Sequence, residues 1–69
     1  MSSFPERLKE IRKINKMTQK QVFNGIGIGE RLYQRYEHGQ IDPSYKIIVK
    51  LADFFQISTD YLLGREDLR

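Results

Sequence analysis

Glu30, Arg31, Gln34, Arg35 and His38 lie within one short stretch, and stepping about 100° per residue brings all five onto one arc of a single helix. That arc is dense in directional hydrogen-bonding groups. An Arg offers a two-pronged donor that fits O6 and N7 of guanine, a Gln fits the adenine edge, and a carboxylate can accept from N4 of cytosine. On its own, such a face on a short helix is most often solvated surface, so its meaning depends on the elements that present it. The opposite arc carries Ile28, Leu32, Tyr33 and Tyr36 and reads as the buried side.

Other chemistries find no support. The run Gly25, Gly27, Gly29 invites a dinucleotide site, but no strand precedes it, Glu30 stands where the third Gly of GxGxxG belongs, and no Lys follows as in a phosphate-binding loop. That reading fails. The chain has no Cys and one His, which excludes disulfides and thiolate metal sites, and His38 cannot build a zinc site unaided. Near the end of its helix, His38 reads as a surface residue that compensates the helix dipole. Asp42, Asp53 and Asp60 have capping or surface contexts, and none joins a Ser, a His or a second acid at a catalytic spacing. Neither an enzyme, a cofactor nor a metal is expected.

The elements that must carry the polar arc are read from helix punctuation. Ser3-Phe4-Pro5-Glu6 predicts an N-cap, a first-turn Pro and a capping Glu, opening a first helix with Phe4, Leu8 and Ile11 inward and an end near Asn15. Thr18-Gln19-Lys20-Gln21 opens a second helix with Val22, Phe23 and Ile26 inward. The glycines from Gly25 to Gly29 make further helix costly, at about 1 kcal/mol each relative to Ala, so a sharp turn belongs there. A third helix spans about 30–38 and is closed by Gly39, and Asp42-Pro43-Ser44 announces a fourth from about Tyr45 to Phe55. The fourth is apolar on two stripes: Ile47, Ile48, Leu51 and Phe55 on one, and Tyr45, Val49 and Ala52 on the other. Such a helix is central or meets a partner. Ser58 caps a short fifth helix through Asp60 to Leu63, closed by Gly64. No window alternates as a strand does. The expectation is an all-α fold of five short helices in one domain over residues 1–69, with its core at about 4–64 and a frayed tail at 65–69.

Charge and size narrow the class further. A chain of 69 residues makes one small domain, and its formal charge of +3 arises from 12 Lys and Arg against 9 Asp and Glu. The excess is local: residues 1–20 hold six basic and two acidic side chains, residues 21–69 six and seven. This predicts an oriented contact rather than diffuse attraction. With no leader-like apolar run and no stretch near the roughly 20 residues of a membrane span, a soluble cytoplasmic protein without membrane contact is expected.

Helix two, a Gly-containing turn and helix three have the spacing of a helix-turn-helix. The run Met17-Thr18-Gln19-Lys20-Gln21-Val22, then Ile26-Gly27-Ile28, Arg35-Tyr36-Glu37-His38-Gly39 and Pro43-Ser44 resembles the Cro and CI repressor-like (Xre) DNA-binding domains, which share the lambda repressor-like fold. The resemblance extends from Arg7-Leu8-Lys9-Glu10-Ile11-Arg12 to Asp60-Tyr61-Leu62-Leu63-Gly64. It implies base reading by Glu30, Arg31, Gln34 and Arg35 and phosphate contacts from Thr18, Gln19, Lys20, Gly29, His38 and Gln40. Gln19 is also implied to brace a side chain of the recognition helix. Arg12 and Glu37 resemble a structural pair that links helix one to the end of helix three. The chain departs from the family at Phe23, usually a small residue, at Gly29, often Ser or Thr, at Tyr33, usually aliphatic, and at Leu32, often Ser or Thr facing phosphate. Its core around the third helix is bulkier than usual.

The resemblance implies a sequence-specific regulator of transcription, most simply a repressor, that binds a pseudo-palindromic double-stranded DNA operator as a homodimer. Without an appended domain, sensing would fall to a partner or to protein concentration. Phe54, Phe55 and Tyr61 are core candidates first, but Phe54 and Phe55 point about 100° apart, so one can remain exposed as a dimer surface. The alternative is an antitoxin-like or other protein-interaction module that uses the apolar face of helices four and five.

Overall fold

Thr18, Ser44 and Ser58 each stand in extended backbone just before a helix and turn a hydroxyl onto its first free amides. Thr18 Oγ1 accepts from the N–H of Gln21 at 3.1 Å while Gln21 Oε1 accepts from the N–H of Thr18 at 2.8 Å. Ser44 and Ser58 accept from Ile47 and Tyr61 at 3.3 and 3.0 Å. At Ser3, both the backbone N–H and the hydroxyl donate to Glu6. These caps satisfy donors that a helix start cannot pair internally, so the boundaries are set locally.

The computed structural model describes residues 3–65, in which five helices follow one another: α1 (Phe4–Ile14), α2 (Gln19–Ile26), α3 (Glu30–Glu37), α4 (Tyr45–Phe55) and α5 (Thr59–Leu62). No strand occurs among the described residues. The α2–α3 turn is made by Gly27 at φ +79°, a conformation that costs a residue with a Cβ about 1 kcal/mol. The tail expected beyond Arg65 lies outside the described residues. Arg65 itself is held by its N–H, which donates to the carbonyl of Asp60 at 2.8 Å.

All five helices contribute to one core. Leu8 and Ile11 from α1, Val22 and Ile26 from α2, and Tyr33 and Tyr36 from α3 meet Ile48, Leu51 and Ala52 from α4 and Tyr61 and Leu62 from α5. Two expected inward residues are not inside. Tyr45, placed on an apolar stripe, is 80% exposed: only α2 and α5 pack closely on α4, and they cover its Ile48, Leu51 and Ala52 side. Leu32 is exposed at the rim of α3, because the buried arc of that helix is centred on Tyr33, Tyr36 and Glu37 and leaves Leu32 about 100° from Tyr33.

A residue that sequence treats as a helix breaker has a packing reason. Gly25 sits inside α2, and a Cβ built there would lie 2.3 Å from Cε1 of Phe54. The missing side chain is the seat of that ring. Phe54 also meets Phe55 edge-on at 5.1 Å between centroids. Gly25→Ala should therefore destabilise the domain by about 1–2 kcal/mol, overpacking outweighing the gain in helix propensity. In a Phe54→Ala background the same change should instead stabilise by about 1 kcal/mol. Urea unfolding of the four variants measures both signs.

Candidate nucleic-acid interface

Arg12, Gln19, Tyr33 and Glu37 come from three helices and converge on one carboxylate. Arg12 donates from Nε to Glu37 Oε2 at 2.7 Å and from Nη2 to Oε1 at 3.1 Å, a fork matched to a carboxylate. Its remaining Nη1 donates to the carbonyl of Met17 at 3.1 Å and so ties down the α1–α2 turn. Gln19 Nε2 donates to Glu37 Oε1 at 3.0 Å, and the Tyr33 hydroxyl donates to Oε2. Glu37 is 1% exposed. A charge so placed persists only when nearly every lone pair has a donor, and here four donors supply them.

The electrostatics follow from that arrangement. Burial alone would raise the Glu37 carboxyl, but the bonds from Arg12, Tyr33 and Gln19 outweigh it and hold the group below its ordinary range. The Tyr33 phenol moves the other way, pushed up by burial and by its bond to the Glu37 carboxylate. Arg12 is raised by the same pairing, against its own burial.

With Glu37 fixed, α3 cannot rotate, and its outer arc points to solvent. Glu30, Arg31 and Arg35 are exposed, and Arg31, Leu32 and Arg35 line a shallow surface depression. Gln34 is half-buried because it turns back: its Nε2 reaches Glu30 Oε2 at 3.2 Å and Gln19 Oε1 at 3.5 Å. Of the residues assigned to phosphate, Thr18, Lys20, Gly29, His38 and Gln40 are exposed, and Gln19 is half-buried with its amide engaged by Glu37. Gly29 is the N-cap of α3 and offers backbone only. The bulk of Phe23 is absorbed by tilted contact with Tyr33, ring centroids 6.1 Å apart.

Two sequence expectations change. Tyr61 is 8% exposed, with the Arg7 guanidinium 4.2 Å from its ring centroid, so it belongs to the core and not to a dimer surface. Phe54 and Phe55 stay half-buried, with Phe54 occupied by Gly25. The N-terminal charge excess is also partly internal. Arg7 is 3% exposed between Tyr61 and Glu10, and Arg12 is held by Glu37, which leaves the lysines as the outward cations of that segment. Arg7 was missed because a charged residue on an apolar stripe carries no signal of burial until the aromatic ring it lies against is known.

Comparison with known proteins identifies the arrangement. A family model described as a helix-turn-helix domain matches residues 6–68. The chain belongs to the helix-turn-helix domain family. It is 43% identical over 60 residues to the cryptic phage CTXphi transcriptional repressor RstR of Vibrio cholerae, covering 87% of this chain and 54% of that protein. The HTH-type transcriptional regulator ImmR of Bacillus subtilis is 36% identical over 66 residues, covering 96% and 52%. The chain thus spans about half the length of these relatives. An uncharacterized HTH-type transcriptional regulator of Methanocaldococcus jannaschii matches at 30% identity over 88% of this chain and 92% of its own length. In fold, this helix-turn-helix domain superposes on the P22 c2 repressor in a complex with synthetic operator 9T at a TM-score of 0.86, with 24% identity, over 96% of this chain and 100% of that one. At that identity the likeness is one of fold, and the five helices of this chain follow the fold of that repressor.

The buried carboxylate makes a pH-dependent contribution of definite sign. A folded-state pKa below the ordinary 4.5 means that Glu37 adds stability above that value and loses it as pH falls through the lower folded value. Glu37→Gln should cost about 3 kcal/mol at neutral pH by leaving Arg12 uncompensated, and should flatten the acid limb of stability below pH 4.5. Urea midpoints of parent and variant, followed from neutral pH downward, measure both effects.

Proposed function

We propose that this helix-turn-helix domain is a sequence-specific double-stranded DNA-binding transcriptional regulator, acting as a repressor, that lays α3 in the major groove. The observation that carries this reading is the division of α3 into two sides. Tyr33, Tyr36 and Glu37 anchor it to the core, while Glu30, Arg31 and Arg35 stand exposed on the opposite side with groups matched to base edges. Thr18, Lys20, Gly29, His38 and Gln40 provide exposed polar and cationic groups for backbone phosphates. The naming of RstR as a transcriptional repressor and of ImmR as a transcriptional regulator supports the same role.

The operator is pseudo-palindromic and bound by a homodimer, since a helix-turn-helix reads one half-site per copy. Of the three residues assigned to a dimer surface, Phe54 and Phe55 are the ones left partly exposed for contact between copies. Such a regulator works in the cytoplasm, needs no cofactor and catalyses no reaction. The interaction-module alternative loses ground because much of the apolar face it would use is engaged internally, with Tyr61 and Leu62 buried and Phe54 seated on Gly25.

Arg31→Ala and Arg35→Ala should each cost about 1–3 kcal/mol in operator affinity and relax selectivity at one base position. Lys20→Ala should weaken binding to all sequences alike and lower the salt slope by about one. Fluorescence anisotropy against a duplex selected from a random library, repeated over a salt series, reads all three. Arginine variants that bind as tightly as the parent would overturn base reading by α3.

A further inference from the structure

Hydrogen-bond donors and acceptors do not distribute freely along α3, because Glu37 sets the direction of every amide connected to it. As a carboxylate held ionised by Arg12, Glu37 can only accept, so the Gln19 amide must present its NH2 group inward, at 3.0 Å. Gln19 then turns its carbonyl Oε1 toward Gln34. Gln34 meets two acceptors, Gln19 Oε1 at 3.5 Å and the Glu30 carboxylate at 3.2 Å, and must give both amide N–H groups to them. Its own carbonyl is what remains to offer outward. Bidentate pairing of a Gln with adenine needs a free N–H as well as the carbonyl, and Gln34 has none to spare.

We infer that the Gln19–Gln34–Glu30 chain polarises the reading face, so that Gln34 and Glu30 act as acceptors only and select a base with an exocyclic amino group, cytosine or adenine. Gln19 is a positioning residue for that choice. Arg31 and Arg35, donors only, complete the face about 100° further round the helix and select guanine. The half-site therefore contains an amino-bearing base on one strand near the guanines read by the arginines. This inference rests on the proposed DNA-reading function and specifies its chemistry.

The test selects duplexes from a random library with the parent chain, then replaces the base at the implicated position by its analogue without the amino group, purine for adenine or 2-pyrimidinone for cytosine. The expected result is a loss of about ten-fold in parent affinity. Gln34→Leu, which removes the outward carbonyl and leaves Glu30 as the remaining acceptor, and Gln19→Leu, which removes the acceptor for one of the two Gln34 amide N–H groups, should each reduce this discrimination at that base pair and leave the guanine requirement in place. Circular dichroism melting confirms that each variant is folded, and Gln34→Leu alters a half-exposed side chain outside the core. A parent that selects a defined operator yet is indifferent to every amino group in it would overturn the inference and leave DNA reading intact. Discrimination reduced in Gln34→Leu but unchanged in Gln19→Leu would overturn the positioning role of Gln19. Enrichment of no sequence at all would overturn the DNA-reading function, and the inference with it.

Discussion

One buried carboxylate governs this small domain. Glu37 lies at the end of α3 and takes hydrogen bonds from Arg12 on α1, from Gln19 on α2 and from Tyr33 one turn earlier on its own helix. Desolvating a charge costs several kcal/mol, and these donors offset that cost. The rotation of α3 and the spacing of α1 and α2 are thereby set together. The close packing of Val22, Ile26, Tyr33 and Tyr36 holds the same geometry from the apolar side.

The consequence reaches the surface through one more layer. Every donor spent on Glu37 fixes the orientation of the group that gave it, and Gln19 passes that orientation to Gln34 and Glu30. A side chain on the exposed arc is thus coupled to the core by hydrogen bonds rather than by packing alone. The outward arginines have no such tether among the hydrogen bonds of this network, and their reach is set by their length and by the angle of α3. Bulky departures from the family, Phe23 and Tyr33, are absorbed by mutual ring contact, so α3 keeps its place between α1 and α2.

Much of the fold was legible because its signals are local. Caps at Thr18, Ser44 and Ser58 and the turn glycine Gly27 act within four residues of themselves, and their geometry matches the sequence reading. Burial was less legible. Tyr45 reads as apolar-stripe and stands in solvent, Arg7 reads as surface charge and lies buried, and Gly25 reads as a breaker and serves as a seat for Phe54. Each of these depends on a residue at least 29 positions away or on the absence of one, which periodicity within a helix cannot register.

The sequence by itself determined the five helices, their ends, and the arc that gathers Glu30, Arg31, Gln34 and Arg35, since all of these follow from spacing within one turn or two. Only the tertiary structure decided which way those groups present their donors and acceptors. A carboxylate accepts and an amide can do either, so the direction of the Gln19 and Gln34 amides is undefined until Glu37 is brought beside Gln19 from eighteen residues away. Chain spacing places side chains on a face, and long-range pairing chooses the chemistry that face displays.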